Sequence, residues 1–277
     1  MMSNSGQTTV GTVAALWRYP VKSMMGEELN AAELTEAGLY GDRAYAVLDP
    51  TEDKVVSAKN PRKWPRLFEF RAAFVEPPQV GQELPPIRVT LPDGTTALSG
   101  QSDLATILSE SLGRDVILES KAPDSPTLEE YWPDIENLDH RDTVTDEGMP
   151  AGTFFDFAAV HLLTTATIDE LRKANPSGRF EAKRFRPNIV VVPEVGLEGF
   201  VENNWVGRTF SIGREVRLSV TGPCPRCVMT TLPQGDLPRD LGILRTAAQQ
   251  NNAHVGIYAS VVSGGLIRRG DRIRIEA

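Results

Sequence analysis

Thr209-Phe-Ser-Ile212, Gly213-Arg214 and Val216-Arg-Leu-Ser-Val-Thr221 read as two short strands and the tight reversal that joins them. Both segments are rich in β-branched or aromatic side chains, and glycine supplies the turn. The pattern recurs outward in both directions. Thr12 to Tyr19, Ala44 to Leu48, Leu67 to Val75, Ile87 to Leu91 and Val116 to Glu119 lie before it. Phe157 to Leu163 and Ile189 to Val192 follow these, and Val255 to Val262, a Gly264-Gly265 turn and Asp271 to Ile275 close the chain. Strands of this length, punctuated by Gly, Pro, Asp and Asn, predict a mainly β protein of the barrel type with a few helices. The helices are expected at Ser102 to Gly113, after Thr164-Thr165, and near Pro238 to Gln250. In the first, Leu104, Ile107, Leu108 and Leu112 keep helical spacing between a capping Ser102 and Gly113.

Organisation follows from a change in composition. From about Lys121 to Gly152 the chain turns to Pro, Asp and Glu with little periodicity, which reads as a linker or surface excursion between two lobes. The expected division is 9–122, 123–152 and 153–277. The chain carries 29 Lys and Arg against 37 Asp and Glu, a net charge of -8. Such a balance offers no general field for nucleic acid or an anionic membrane, so any bound anion needs a local basic cluster. No apolar run reaches the ~20 residues of a membrane helix, and the N-terminus lacks the features of a secretory signal. A cytoplasmic protein without nucleic-acid or membrane partners is expected.

Three sites concentrate positive charge: Lys22-Ser23 after Tyr19-Pro-Val, Gly41-Asp-Arg43, and the run Arg179, Lys183, Arg184 and Arg186 before Pro187-Asn188. If Arg184-Phe-Arg186 is extended, both guanidiniums share a face and suit bidentate phosphate oxygens. Thr164 and Thr165 stand before a helix, where free amides receive an anion or the hydroxyls simply cap. The two cysteines, Cys224 and Cys227, lie in Pro223-Cys-Pro-Arg-Cys227. A zinc site lacks a second closely spaced pair, and a redox dithiol lacks a following helix. Two buried thiols, or one thiolate ligand to a soft or high-valent metal, remain open. His140 and His161 read as exposed or structural, and His254 as a turn residue. Walker, dinucleotide-binding, zincin and nucleophile-elbow motifs are absent.

Five stretches fall in one order: Leu16-Trp-Arg-Tyr-Pro-Val-Lys22-Ser23, Gly41-Asp-Arg43, Thr153-Phe-Phe-Asp156 with His161-Leu-Leu-Thr-Thr165, Phe185-Arg-Pro-Asn188, and Pro223-Cys-Pro-Arg-Cys227-Val-Met-Thr-Thr231. In this order the chain resembles MOSC-domain proteins. They are related to the C-terminal domain of molybdenum cofactor sulfurase and here preceded by the N-terminal β-barrel domain, and the sequence is similar to the mitochondrial amidoxime-reducing components. The resemblance implies a molybdopterin cofactor between two β lobes. Cys227 is then the molybdenum ligand, and Lys22, Ser23, Arg43, Thr164, Thr165, Arg186 and Asn188 are cofactor contacts. It also implies reduction of amidoximes, hydroxylamines and N-hydroxylated bases, with electrons from a separate ferredoxin-like or flavin reductase donor. The alternative is a carrier or chaperone that holds the cofactor without turnover. Pyridoxal phosphate is not expected, since the aminotransferase-like part of the sulfurases has no counterpart in this sequence.

Overall fold

A computed structural model of the chain describes residues 8–276. Seven strands close a barrel in the order Thr8–Arg18, Ile189–Pro193, Val160–Thr164, His254–Ser263, Val216–Pro225, Thr209–Ile212 and Arg272–Ile275, which pairs back to the first. All neighbours are antiparallel except Val160–Thr164 with Ile189–Pro193. Parallel neighbours need a crossover, and the helices Thr165–Ala174 and Ala182–Phe185 provide it. Val10, Val13 and Leu16 from the first strand, where register shifts at Thr9/Gly11 and Val13/Ala15 interrupt the two-residue alternation, meet Phe210, Ile212, Leu218, Ile257 and Ile273 inside the barrel. Each such side chain, fully buried, contributes roughly 1.5–3 kcal/mol of transfer free energy. The opening hairpin is as expected, with Ile212 opposite Val216 and Gly213 at φ 63°.

Most of the other N-terminal residues form the lobe that comes first in the sequence, the barrel being the second; Ala32, Leu34 and Leu39 pack with the barrel core instead. The core of the first lobe holds Val47, Ile87 and Val89 from short three-stranded sheets, Phe70 from the chain between them and Leu108 from the helix Leu104–Leu112. Gly113 ends that helix at φ 71°, but Asp103 rather than Ser102 stands at its start, without a side-chain cap. The two lobes interpenetrate. Thr8–Arg18 lies in the sequence of the first lobe yet closes the barrel of the second, while Met229 and Leu232 from the second lobe enter the core of the first.

Residues 123–152, expected as a linker or surface excursion, contain an antiparallel hairpin, Thr127–Trp132 with Thr143–Gly148. Its connecting loop anchors Ile135 against Leu244 and Ala248 of the helix Gly242–Asn251. The acids that disguise this hairpin in sequence are neutralised across space: Glu130 pairs with Lys59, and Glu129 with Lys54 and Lys63. Among the described residues no helix is long and apolar enough to cross a membrane.

Candidate functional site

A cavity of about 540 Å³ opens between the lobes, under the hairpin loop. Its walls depend on unusual backbone. Eight non-glycine residues among those described have positive φ, and six of them line the cavity: Ser23, Arg43, Asn137, Arg186, Asn252 and Ala253. Left-handed backbone costs an ordinary side chain roughly 1–3 kcal/mol and persists only where packing over-determines it. Gly256, at φ 84°, serves the same wall; a Cβ there would lie 2.3 Å from His161 Nε2 and 2.4 Å from Leu162 O.

The buried end of the cavity is a charge network. Lys22 Nζ donates to Phe154 O at 3.0 Å and pairs with Asp156. Lys59 Nζ pairs with Glu130 at 2.8 Å and lies 3.9 Å from Asp156. Burial alone would raise the Asp156 carboxyl, but the two ammoniums hold it well below the usual carboxylate range. For Lys22, burial outweighs Asp156 and lowers the pKa; for Lys59, burial is overcome by Asp156 and Glu130, which raise it. Arg43 pairs with Asp42, whose carboxylate also accepts from Tyr19 N at 2.7 Å and Asn188 Nδ2 at 3.0 Å.

Two guanidiniums on the cavity wall differ from these. Neither Arg186 nor Arg226 has a carboxylate partner among the described residues. Arg186 is buried against the rings of Tyr19 and Phe68 and donates from Nη1 to Met24 O at 2.8 Å; burial pushes its pKa down to about 10. Arg226 donates to Phe185 O and to Cys224 Sγ, while its buried Nε has no partner. Buried cations without acids are costly, and an anion seated beside them relieves that cost.

The cysteines have separate fates. Cys224 is fully buried; burial would raise its thiol, but Arg226, helped by His161, lowers it instead. Cys227 lies on the cavity wall. Its burial and the nearby Glu130, opposed by Lys59 and Arg226, push its thiol up to about 11, so a metal must displace a proton to bind there. No group of three or more His, Cys, Asp or Glu converges as a metal site among the described residues. A metal held at Cys227 must therefore bring its other ligands on its own scaffold, a requirement that a metal-bearing anionic organic cofactor meets. The donor set thus fits such a group: one thiol, the Arg186 guanidinium without a carboxylate, and the Arg226 guanidinium, whose acidic neighbour is the Cys224 thiol. The Ser23 hydroxyl accepts from Ala58 N at 3.0 Å and donates to Ser57 Oγ at 3.5 Å.

The structure brings Lys22, Ser23, Arg43, Arg186, Asn188 and Cys227 to this cavity. Thr164 and Thr165 are not among its lining residues. Thr164 caps the helix Thr165–Ala174 through Thr167 N and donates to the buried Glu202 carboxyl, so its hydroxyl is used by the fold. Asn188 also spends its amide internally: Nδ2 donates to Trp17 O and Asp42, and Oδ1 accepts from His161 N. It positions Asp42, and through it Arg43. The extended reading of Arg184-Phe-Arg186 is overturned. Ala182–Phe185 is a helical turn, capped by Arg186 at φ 53°. Arg184 therefore points away from Arg186, donating to carbonyls of Arg179, Thr230, Leu232 and Pro238 and tying down the chain beyond Cys227. The sequence reading missed Lys59, Glu130 and Trp132, and His140, His161 and His254 also line the cavity; only His161 belongs to one of the ordered stretches, and there it reads as structural.

Comparison with known proteins follows this architecture. The MOSC N-terminal beta barrel domain matches residues 10–128, and the MOSC domain matches residues 151–274. This is a MOSC-domain protein. The MOSC chain is 25% identical over 292 residues to mitochondrial amidoxime reducing component 2 of Homo sapiens, covering 95% of this chain and 83% of the relative. It is 27% identical to mitochondrial amidoxime-reducing component 1 of Mus musculus, over 80% of this chain and 66% of that protein. Among solved structures, the YuaD protein from Bacillus subtilis is similar with a TM-score of 0.49 at 11% identity, covering 98% and 97% of the two chains. Residues 129–150, most of the hairpin over the cavity, fall between the two matched domains.

Proposed function

We propose that this MOSC protein is a molybdenum-cofactor oxidoreductase that reduces N-hydroxylated compounds, taking electrons from a separate donor protein. The observation that carries the reading is the Cys227 thiol on the wall of a cavity whose two guanidiniums, Arg186 and Arg226, lack carboxylate partners among the described residues. The relatives named for amidoxime reduction, matched along most of their length, point the same way. When bound, a molybdenum cofactor supplies the oxygen-accepting electron chemistry at its metal. Conversion of an amidoxime to an amidine and water consumes an electron pair and a pair of protons.

The chain's own residues supply binding and positioning. Cys227 is the metal ligand in this reading, and Arg186 and Arg226 face the cofactor's anionic groups; the Ser23 hydroxyl serves it only by giving up its 3.5 Å bond to Ser57. Arg43 is held ready by Asp42, itself oriented by Asn188. The Lys22–Asp156–Lys59–Glu130 network carries four charges that balance one another in pairs. It adds no net charge at its own end of the cavity, where Arg186 and Arg226 favour an anion; the acids Asp139 and Glu147 line the hairpin side.

Molybdenum retention in cysteine variants, followed by benzamidoxime reduction with an artificial donor, tests the proposal. Cys227→Ser is expected to lose the metal and Cys224→Ser to keep it, with the metal-loaded protein forming benzamidine. Loss of metal in both variants would replace the single ligand by a dithiol site. Metal retention without any amidine would make the protein a carrier.

A further inference from the structure

The two ends of the cavity differ in chemistry. The cations sit at the buried end, whereas the mouth carries aromatic rings. Phe157 lines the cavity yet is 72% exposed. A solitary exposed apolar side chain needs no explanation; this one is held. Its ring stacks on Tyr258 with centroids 6.3 Å apart and planes 15° from parallel. Tyr258 is fixed in turn by its pairing opposite His161 in the barrel and by an edge-on contact between the two rings at 5.9 Å. One face of Phe157 is thus backed by a rigid ring while most of its surface stays open. A second aromatic pair, Trp132 and His140, lines the same cavity from the hairpin; Trp132 is pinned by a 2.8 Å bond from its Nε1 to Thr145.

We propose that Phe157, backed by Tyr258, is the platform on which a planar aromatic or heteroaromatic N-hydroxylated substrate stacks, so that aryl members of the class are preferred over alkyl members. The inference rests on the reductase reading and specifies its substrate class. A planar ring laid on Phe157 gains offset-stacking energy beyond its buried area. An alkyl chain of equal polarity at its reacting end gains only the area. Residues 129–150, which supply Trp132 and His140, lie between the two matched domains and form the hairpin wall of the mouth.

The test is equilibrium binding to the metal-loaded protein without an electron donor, so that no turnover occurs, using benzamidoxime and acetamidoxime as probes. Benzamidoxime is expected to bind the parent protein more tightly. Phe157→Ala should weaken benzamidoxime by about 2- to 13-fold, the equivalent of one aromatic pair, and leave acetamidoxime within about twofold. Phe157→Tyr should restore the preference. Equal losses for both probes, no loss for benzamidoxime, or no detectable binding of it to the parent protein would each overturn the platform. Unchanged binding combined with a raised KM for the donor protein would do so too, assigning the ring to donor docking. Tight, Phe157-dependent benzamidoxime binding with no benzamidine formed once electrons are supplied would instead sink the reductase reading while leaving the platform in place.

Discussion

Asp156 shows how little a single residue reveals before the chain is folded. In sequence it is one acid in Thr153-Phe-Phe-Asp156; in the fold it is shared by Lys22 and Lys59, contributed from distant parts of the first lobe. Its carboxyl is held below the usual range, so its stabilisation is complete above the unfolded value near ~4 and is lost as pH falls through and below it. Asp156→Asn should therefore lower stability at about pH 7 by roughly 1–2 kcal/mol, discounted because the side chain is one-third exposed. The difference should narrow toward about pH 3. Urea midpoints measured across that range check the sign: a gap that widens in acid would rule out the ion pair as its source. Lys22, Ser23, Arg43, Arg186 and Cys227 were legible as candidates because motif order singled them out, whereas Lys59 and Glu130 carry no motif and only folding pairs them.

Elements were legible where their pattern is local. The hairpin at Gly213 and the helix ending at Gly113 were marked by apolar residues and a glycine. The hairpin Thr127–Trp132 with Thr143–Gly148 was not, because its acids are neutralised only by lysines of another element. Ala182–Phe185 was misread as extended because one turn of helix and two-residue alternation are indistinguishable over so few residues. On the barrel strand His254–Ser263, Gly256 decides whether His161 can pack beside it. Gly256→Ala would place a methyl group inside hard contact with His161 and Leu162 O at positive φ. A loss of at least about 3 kcal/mol is expected, combining overpacking with left-handed strain. Thermal unfolding of the variant checks it, and a Tm within a degree or two of the parent protein would show that the strand can shift to make room.

At the scale of the whole molecule, the strand Thr8–Arg18 makes the two lobes inseparable. Residues 153–277 alone would leave Ile189–Pro193 and Arg272–Ile275 as open edges, since both pair with that first strand. Circular dichroism of the 153–277 fragment should show no cooperative melt and the fragment should aggregate, whereas fusing residues 8–18 to it through a flexible linker should recover a transition. Cooperative folding of the fragment by itself would contradict this account of closure. The sequence by itself determined the β-rich class, the punctuation of most barrel strands and the order of the basic and cysteine motifs, all of which depend on neighbours along the chain. Only the tertiary structure decided that the first strand belongs to the distant barrel, that Thr164 serves Glu202 and a helix cap while Cys227 meets the cavity, and that Arg186 and Arg226 stand without carboxylates. Strand partnership and charge compensation are set by groups far apart in the chain, and local pattern carries no record of which of them meet.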